Sequence, residues 1–170
     1  MENPNKTLFD CQQMFRHACA FAEVADMAEA KFCHGTADIE WYITPSVVNS
    51  AFACEVFLKA LLQFYDIRFT ELLPARERHE LKKLYGLLPE ESQEWIKQKT
   101  LNCYGGAWEN AFGLELLDDI SDAFVKWRYS YEQEGSLYID NAFLYAFRNA
   151  LREACCQLYF GKTWEEYSAN

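Results

Sequence analysis

The sequence predicts an all-α protein in which one domain, residues 1–170, forms a bundle of about five helices with an up-and-down core. Three observations favour this class. The chain has 170 residues, which is enough for one sizeable core. Apolar residues make up 51% of it, which disfavours intrinsic disorder. Only four prolines and seven glycines interrupt the chain, and no segment alternates apolar and polar residues as a strand does.

The apolar periodicity predicts helices over residues 7–32, 44–65, 79–88, 111–133 and 137–160, with a further turn or two after Pro89. Thr7 can cap the first helix, and Thr44 can cap the second, with Pro45 in its first turn. Gly135 and Gly161 are expected to end the last two helices.

The segments between these helices are predicted to be connectors or loops. "DIRFTELLPARER" reads as a connector and "NCYGGAWENAFG" as a loop, whose paired glycines lack the following Lys-Ser or Lys-Thr of a phosphate-binding loop. The short "EGS" connection predicts that the last two long helices lie antiparallel. The acidic tail "KTWEEYSAN" is expected to fray.

Charge and cysteine content restrict the class of protein. The net charge of −10 disfavours general binding to nucleic acid, and we expect no DNA partner. The seven cysteines are odd in number and include no Cys-x-x-Cys pair, so we expect free thiols in a cytoplasmic protein. Cys103 and His34 lack partners at metal-ligand spacing, so no metal or cofactor is expected. No signal peptide or membrane-spanning run is expected either.

The helix over residues 44–65 contains the first chemical signal. It is apolar on nearly every face, which predicts a central position, and its only charges are Glu55 and Lys59. One helical turn separates them, so they share a face and can pair. Two interpretations remain open: a structural ion pair, or part of a polar cluster with a function.

A second signal lies in "SDAFVKWRYSYEQEG", residues 121–135. The predicted helix carries one apolar stripe: Phe112, Leu116, Ile120, Phe124, Trp127 and Tyr131. Arg128 flanks this stripe and can pair with Glu132, stack on an aromatic ring or bind phosphate. Alternatively, it extends from the edge of the core into water. Tyr129 and Tyr131 are predicted to lie in or beside the core.

Three elements in this order resemble bacterial HEPN-domain proteins: "NSAFACEVFLKALL", "RERHELKKLYGLLPEE" and "AFVKWRYSYE". Glu55 and Lys59 match a Glu-x-x-x-Lys element of that family. His79 and Leu81 match a His-x-Leu element, and an Arg-Tyr-x-x-Glu element falls on Arg128, Tyr129 and Glu132. The resemblance covers roughly residues 44–132.

The resemblance implies a helical bundle that usually dimerises. Many members of the family are metal-independent ribonucleases, frequent in toxin–antitoxin and phage-defence systems, and others bind ligands or partners without catalysis. The nuclease signature of the family is an Arg followed after four to six residues by His. This chain departs from it, because Gln133, Glu134 and Gly135 stand where that His would fall after Arg128.

Two functions are therefore expected. The favoured one is a ligand- or partner-binding module in a bacterial defence or toxin–antitoxin context, with a homodimer and an RNA, nucleotide or protein as the expected partners. The alternative is a divergent metal-independent endoribonuclease, with His79 as base, Arg128 as the phosphate-binding cation and Glu132 as a further candidate. For both functions, six residues are predicted to form one polar cluster set into the apolar core: Glu55, Lys59, His79, Arg128, Tyr129 and Glu132.

Two further predictions concern residues outside this cluster. His17 is expected at the surface of the first helix. Arg148 and Arg152, one turn apart on the last helix, are expected to be exposed.

Overall fold

The structure, a computed structural model, describes residues 4–34, 40–104, 114–132 and 137–169. These residues form α-helices and two 3₁₀ turns, and no strand occurs among them, which confirms the all-α class. The α-helices are α1 (Pro4–His34), α2 (Glu40–Phe64), α3 (Phe69–Leu72), α4 (Leu81–Gly86), α5 (Glu90–Tyr104), α6 (Leu114–Ser121), α7 (Ala123–Arg128), α8 (Asn141–Phe160) and α9 (Trp164–Ser168). The 3₁₀ turns span Ala75–Glu77 and Ser130–Glu132.

Helix α2 is the centre of the bundle, as its apolar composition predicts. It packs against α1, α4, α7 and α8. The face of α1 that meets it is built mostly from small or compact side chains, which let the two backbones approach closely: Cys11, Phe15, Ala18, Ala22 and Ala25. The part Trp41–Phe64 is long and apolar enough to cross a membrane, contrary to the sequence expectation. Its burial within the bundle is also what the core helix of a soluble protein shows.

Helix α2 begins earlier than the sequence predicts. The expected start was Thr44 with Pro45 in the first turn, but the helix starts at Glu40 and places Pro45 inside it. A proline this deep in a helix removes one backbone hydrogen bond. The extra turn brings Ile43 against the core, and the Asn49 side chain donates a hydrogen bond of 2.7 Å to the Pro45 carbonyl.

The predicted single helix over residues 111–133 is wrong. The chain breaks at Asp122, where φ −114° and ψ 17° leave the helical range, so that α6 and α7 are separate. Residues 111–113 and 133 lie outside the described ranges. Trp127 is buried, whereas Tyr131 is 78% exposed in the following 3₁₀ turn. The apolar stripe therefore continues past the break to Trp127 and ends with α7, before its predicted last member.

Helix α5 is longer than the predicted turn or two after Pro89, since it reaches Tyr104 and includes the start of the predicted loop. Helix α8 begins at Asn141 and not at residue 137, because Asp140 is its N-cap and accepts a hydrogen bond of 2.9 Å from the Phe143 N–H. The Tyr104 hydroxyl also donates to Asp140, and this bond raises the pKa of Tyr104 to about 12.

The end of the chain is partly as predicted. Gly161 ends α8 in the left-handed conformation at φ 62°. The tail that was expected to fray forms α9 instead, since Thr163 and Glu166 cap its first turn reciprocally. Trp164 and Tyr167 of this helix pack against the core. Burial of these two rings explains why the tail is ordered despite its acidic composition.

Candidate functional site

Three of the predicted site residues form a cluster of hydrogen bonds, which we call the Glu55 cluster: Glu55, Lys59 and His79. Glu55 Oε1 accepts from Lys59 Nζ at 2.5 Å and from His79 Nδ1 at 2.9 Å. The ion pair predicted from the spacing of Glu55 and Lys59 is therefore present. Because a carboxylate only accepts, Nδ1 is the protonated nitrogen in this arrangement.

The connector between α2 and α4 brings His79 to this cluster. Arg78 holds the connector in shape, because its Nε donates to the Leu73 carbonyl at 2.9 Å and its guanidinium donates to the Thr70 carbonyl at 2.6 Å. His79 follows directly, two residues before α4 begins. The connector also places the Phe69 ring 5.4 Å below Lys59 Nζ. The predicted connector thus consists of the short helix α3 and a 3₁₀ turn, and it positions a histidine.

Burial differs strongly within the Glu55 cluster. The side chain of Glu55 is 2% exposed, that of Lys59 is 17% exposed and that of His79 is 51% exposed. Glu55 Oε2 is buried and has no hydrogen-bond partner within the described ranges. A buried carboxylate that fixes Nδ1 leaves the other ring nitrogen, Nε2, for a ligand or a proton. This is the geometry of an oriented acid–base histidine.

The other three predicted site residues do not join this cluster. Arg128, Tyr129 and Glu132 are exposed, and no hydrogen bond or ion pair connects them to Glu55 or His79. The prediction of one six-residue cluster set into the core is therefore wrong. The physical reason is that α7 is only six residues long and ends at Arg128, so that Trp127 is buried but Arg128 and the residues after it lie at the surface.

Arg128 belongs instead to a surface group that we call the Arg128 patch: the exposed residues Arg128, Tyr129 and Tyr131, together with Phe124, which is partly buried against the core. The guanidinium carbon of Arg128 lies 4.8 Å from the Phe124 ring centre and 4.6 Å from the Tyr129 ring centre. Tyr131 contacts Tyr129, with ring centres 6.4 Å apart. The predicted pairing of Arg128 with Glu132 does not occur, and no carboxylate in the described part of the chain forms an ion pair with Arg128. Tyr129 and Tyr131 were predicted in or beside the core, but they are 38% and 78% exposed.

Sequence reasoning missed a buried charge. Arg148 was predicted to be exposed, yet its side chain is 1% exposed. It donates to Asp26 of α1 and, at 3.1 Å, to the Ser50 hydroxyl of α2. The signal was present in the sequence, since the positions four before, three after and seven after it are apolar and buried: Leu144, Leu151 and Cys155.

The described cysteines are free thiols, as predicted: Cys11, Cys19, Cys54, Cys103, Cys155 and Cys156. Burial raises the pKa of Cys54 and Cys156 to about 12, so these thiols are neutral and poor nucleophiles. Among the described residues, no group of three or more His, Cys, Asp or Glu side chains could hold a metal ion. His17 lies at the surface, as expected.

Comparisons with family models, with curated proteins and with solved structures find no match for this chain.

Proposed function

We propose that this chain is a HEPN-like binding module whose contact surface is the Arg128 patch and whose partner is, in the first instance, a second copy of itself. A cytoplasmic location and a role in a bacterial defence or toxin–antitoxin system belong to the same proposal. It rests on the ordered resemblance over residues 44–132 and on the all-α bundle. One observation carries it: Arg128 is exposed, contacts two rings and has no ion-pair partner within the described ranges.

Several features of the patch favour binding over packing. Tyr and Arg are the residue types that dominate the energetics of protein interfaces. The two rings against Arg128 restrict its guanidinium before any partner arrives, which lowers the entropy lost on binding. Tyr131 exposes most of a large ring beside it. Because the Arg128 guanidinium is held by aromatic rings and has no carboxylate partner in the described part of the chain, it can form an ion pair with a carboxylate of a binding partner.

A second copy is the partner that the charge distribution allows. With a net charge of −10, two copies repel at long range, so association needs a local match. The helix just before the patch, α6, presents Asp119 as an exposed residue and also Asp118, which already pairs with Lys82 at 2.6 Å. In a twofold interface the same surface meets itself. Arg128 of one copy can then approach the acidic residues of the other.

Light scattering over a concentration series tests this proposal. We expect a dimer for the wild type and at least about a tenfold weaker dimer for Arg128→Ala and for Tyr131→Ala, because one interface hot spot contributes about 2 kcal/mol or more. Lys99→Ala is the matched control, since Lys99 is an exposed cation 5.3 Å from the Trp95 ring on α5. A wild type that stays monomeric, or a control that weakens the dimer equally, would contradict the proposal.

The Glu55 cluster favours a second candidate, a metal-independent endoribonuclease. His79 Nε2 would take the proton of a ribose 2′-hydroxyl, whose oxygen attacks the adjacent phosphorus while the 5′-oxygen leaves and is protonated. The products would be a 2′,3′-cyclic phosphate and a 5′-hydroxyl. Arg128 would supply the cation for the phosphate, although no described contact joins it to His79.

A cleavage assay distinguishes this candidate from the binding module. A fluorescent single-stranded RNA is incubated in EDTA with the wild type, with His79→Ala and with His17→Ala as the surface-histidine control. Loss of cleavage in His79→Ala alone supports the ribonuclease. Absence of cleavage by the wild type leaves the binding module as the sole proposal.

A further inference from the structure

A cleft lies between α1, the C-terminal part of α8 and α9, and is built from residues near both ends of the chain. Its volume is about 960 Å³, at the upper end of the range of small-molecule sites. It shares no residue with the Glu55 cluster or the Arg128 patch. We call it the α1–α9 cleft.

Cations dominate the charged lining of the α1–α9 cleft. Arg16, Arg152 and Lys162 line it, together with the carboxylates Glu23 and Asp26. Asp26 is already paired with Arg148 behind it. None of the three lining cations forms an ion pair with a carboxylate in the described part of the chain. The cleft therefore presents a positive surplus in a protein whose net charge is −10.

The deepest of these cations is held in place by its neighbours. The guanidinium carbon of Arg152 lies 4.2 Å from the Trp164 ring centre, and the group donates to the Asn149 side chain at 2.7 Å. Its Nε is buried without an acceptor among the described residues. Burial, and next the nearby Arg148, lower the pKa of Arg152, and Asp26 opposes them only in part, so the charge of Arg152 is incompletely compensated. An anion in the cleft would compensate it.

The rest of the lining is mostly apolar, with Ser168 as a polar exception. The Tyr167 ring meets Phe15 edge-on, with centres 5.4 Å apart, and stacks on Trp164 at 5.9 Å. Cys19 also lines the cleft, and burial raises its pKa to about 12. The thiol is therefore neutral, so it adds no negative charge and does not compete with an anion. Aromatic side chains beside unpaired cations favour a ligand that carries both an aromatic ring and a negative charge.

We propose that the α1–α9 cleft binds a small organic anion that carries an aromatic ring. The anionic group lies among Arg16, Arg152 and Lys162, and the ring packs against the wall formed by Trp164 and Tyr167. The volume favours a small molecule over a macromolecular chain. Both parts of the ligand are needed, because exposed cations alone bind a small ion weakly.

Calorimetry with three probes tests the proposal: phenyl phosphate, inorganic phosphate and phenol. We expect phenyl phosphate to bind at least about tenfold more tightly than either of the others, which corresponds to about 1.4 kcal/mol. The double variant Arg16→Gln/Lys162→Gln should weaken its binding about tenfold or more. Both residues are exposed, so the fold is retained, which circular dichroism checks.

Two further variants separate a local site from a general effect of charge. Glu23→Gln should tighten the binding of phenyl phosphate, because it removes a carboxylate from the lining. Lys99→Gln changes the net charge by the same amount as Lys162→Gln but lies on α5, and should leave the affinity unchanged. Equal binding of phenyl phosphate and inorganic phosphate would overturn the proposal. So would a loss of affinity in Lys99→Gln as large as in Lys162→Gln.

Discussion

Removing the charge of Asp26 should destabilise this protein more than removing the charge of Arg148, although the two form one ion pair. The asymmetry follows from exposure, because the Arg148 side chain is 1% exposed and that of Asp26 is 42% exposed. In Asp26→Asn a guanidinium remains inside the bundle without a carboxylate. In Arg148→Met a carboxylate remains that water already reaches.

The magnitudes can be worked from these contacts. Breaking a buried pair so that one charge is stranded costs about 3–5 kcal/mol, and the asparagine keeps one acceptor, so we expect about 3 kcal/mol for Asp26→Asn. Among the described residues, Arg148 then keeps the Ser50 hydroxyl at 3.1 Å and the Tyr145 ring at 4.9 Å as direct partners, with the Glu29 carboxylate nearby. Arg148→Met replaces a buried charge by an apolar side chain of similar length, a change that is often close to neutral, and we expect about 1 kcal/mol or less.

The double variant Asp26→Asn/Arg148→Met completes the cycle. Once the guanidinium is gone, the Asp26 substitution should cost little, so the double variant should be about as stable as Arg148→Met alone. Urea unfolding followed by circular dichroism at 222 nm gives the free energies, provided that the dependence on urea stays the same. Equal losses in the two single variants, or a larger loss in Arg148→Met, would refute this reasoning.

Three other predictions follow from local structure. Lys59→Met should cost about 3 kcal/mol because it leaves Glu55 buried beside only His79, whereas His79→Ala should cost about 1 kcal/mol or less because that ring is half exposed; equal losses in urea unfolding would contradict this. Gly161→Ala should cost about 1 kcal/mol because φ is +62° there, whereas Gly86→Ala, with open space at its Cβ, should be neutral or stabilising in the same assay. The pKa of Cys54 is raised from 9.0 to about 12, so the folded state keeps a proton that the unfolded state loses, and the melting temperature should fall as the pH rises from 9 towards 12. The fall should be shallower in Cys54→Ala, and an unchanged slope would count against the linkage.

The parts of the fold that the sequence predicts well are those where apolar periodicity runs long. Helices α1 and α2 and the end of α8 at Gly161 follow from spacing and from one glycine with positive φ. The break at Asp122 could not be predicted in this way. The break separates α6 from α7 although the apolar spacing of the sequence continues through it. Whether the helix continues or breaks at Asp122 is therefore decided by tertiary packing around Trp127.

The candidate site was predictable to the extent that spacing along one helix decides contact. Glu55 and Lys59 pair because one turn separates them. His79 reaches them through a connector whose turns depend on Arg78 and backbone carbonyls, and only the family resemblance pointed to it. The prediction for Arg128 was wrong because a residue at the edge of an apolar stripe can turn towards either the core or the solvent.

Two kinds of arginine in this chain bear on function. Arg148 is buried, and its charge is matched by Asp26, so it serves the fold. Arg16 and Arg128 are exposed and have no ion-pair partner within the described ranges, in a chain with 26 acidic residues against 16 basic ones. Carboxylates are abundant here, so an unpaired arginine reflects local placement and not a shortage of anions. Salt should therefore weaken the binding of an anion in the α1–α9 cleft, since exposed charges are screened within about 8 Å at physiological ionic strength, while the coupling of Arg148 to Asp26 should persist because a partly buried pair is screened much less.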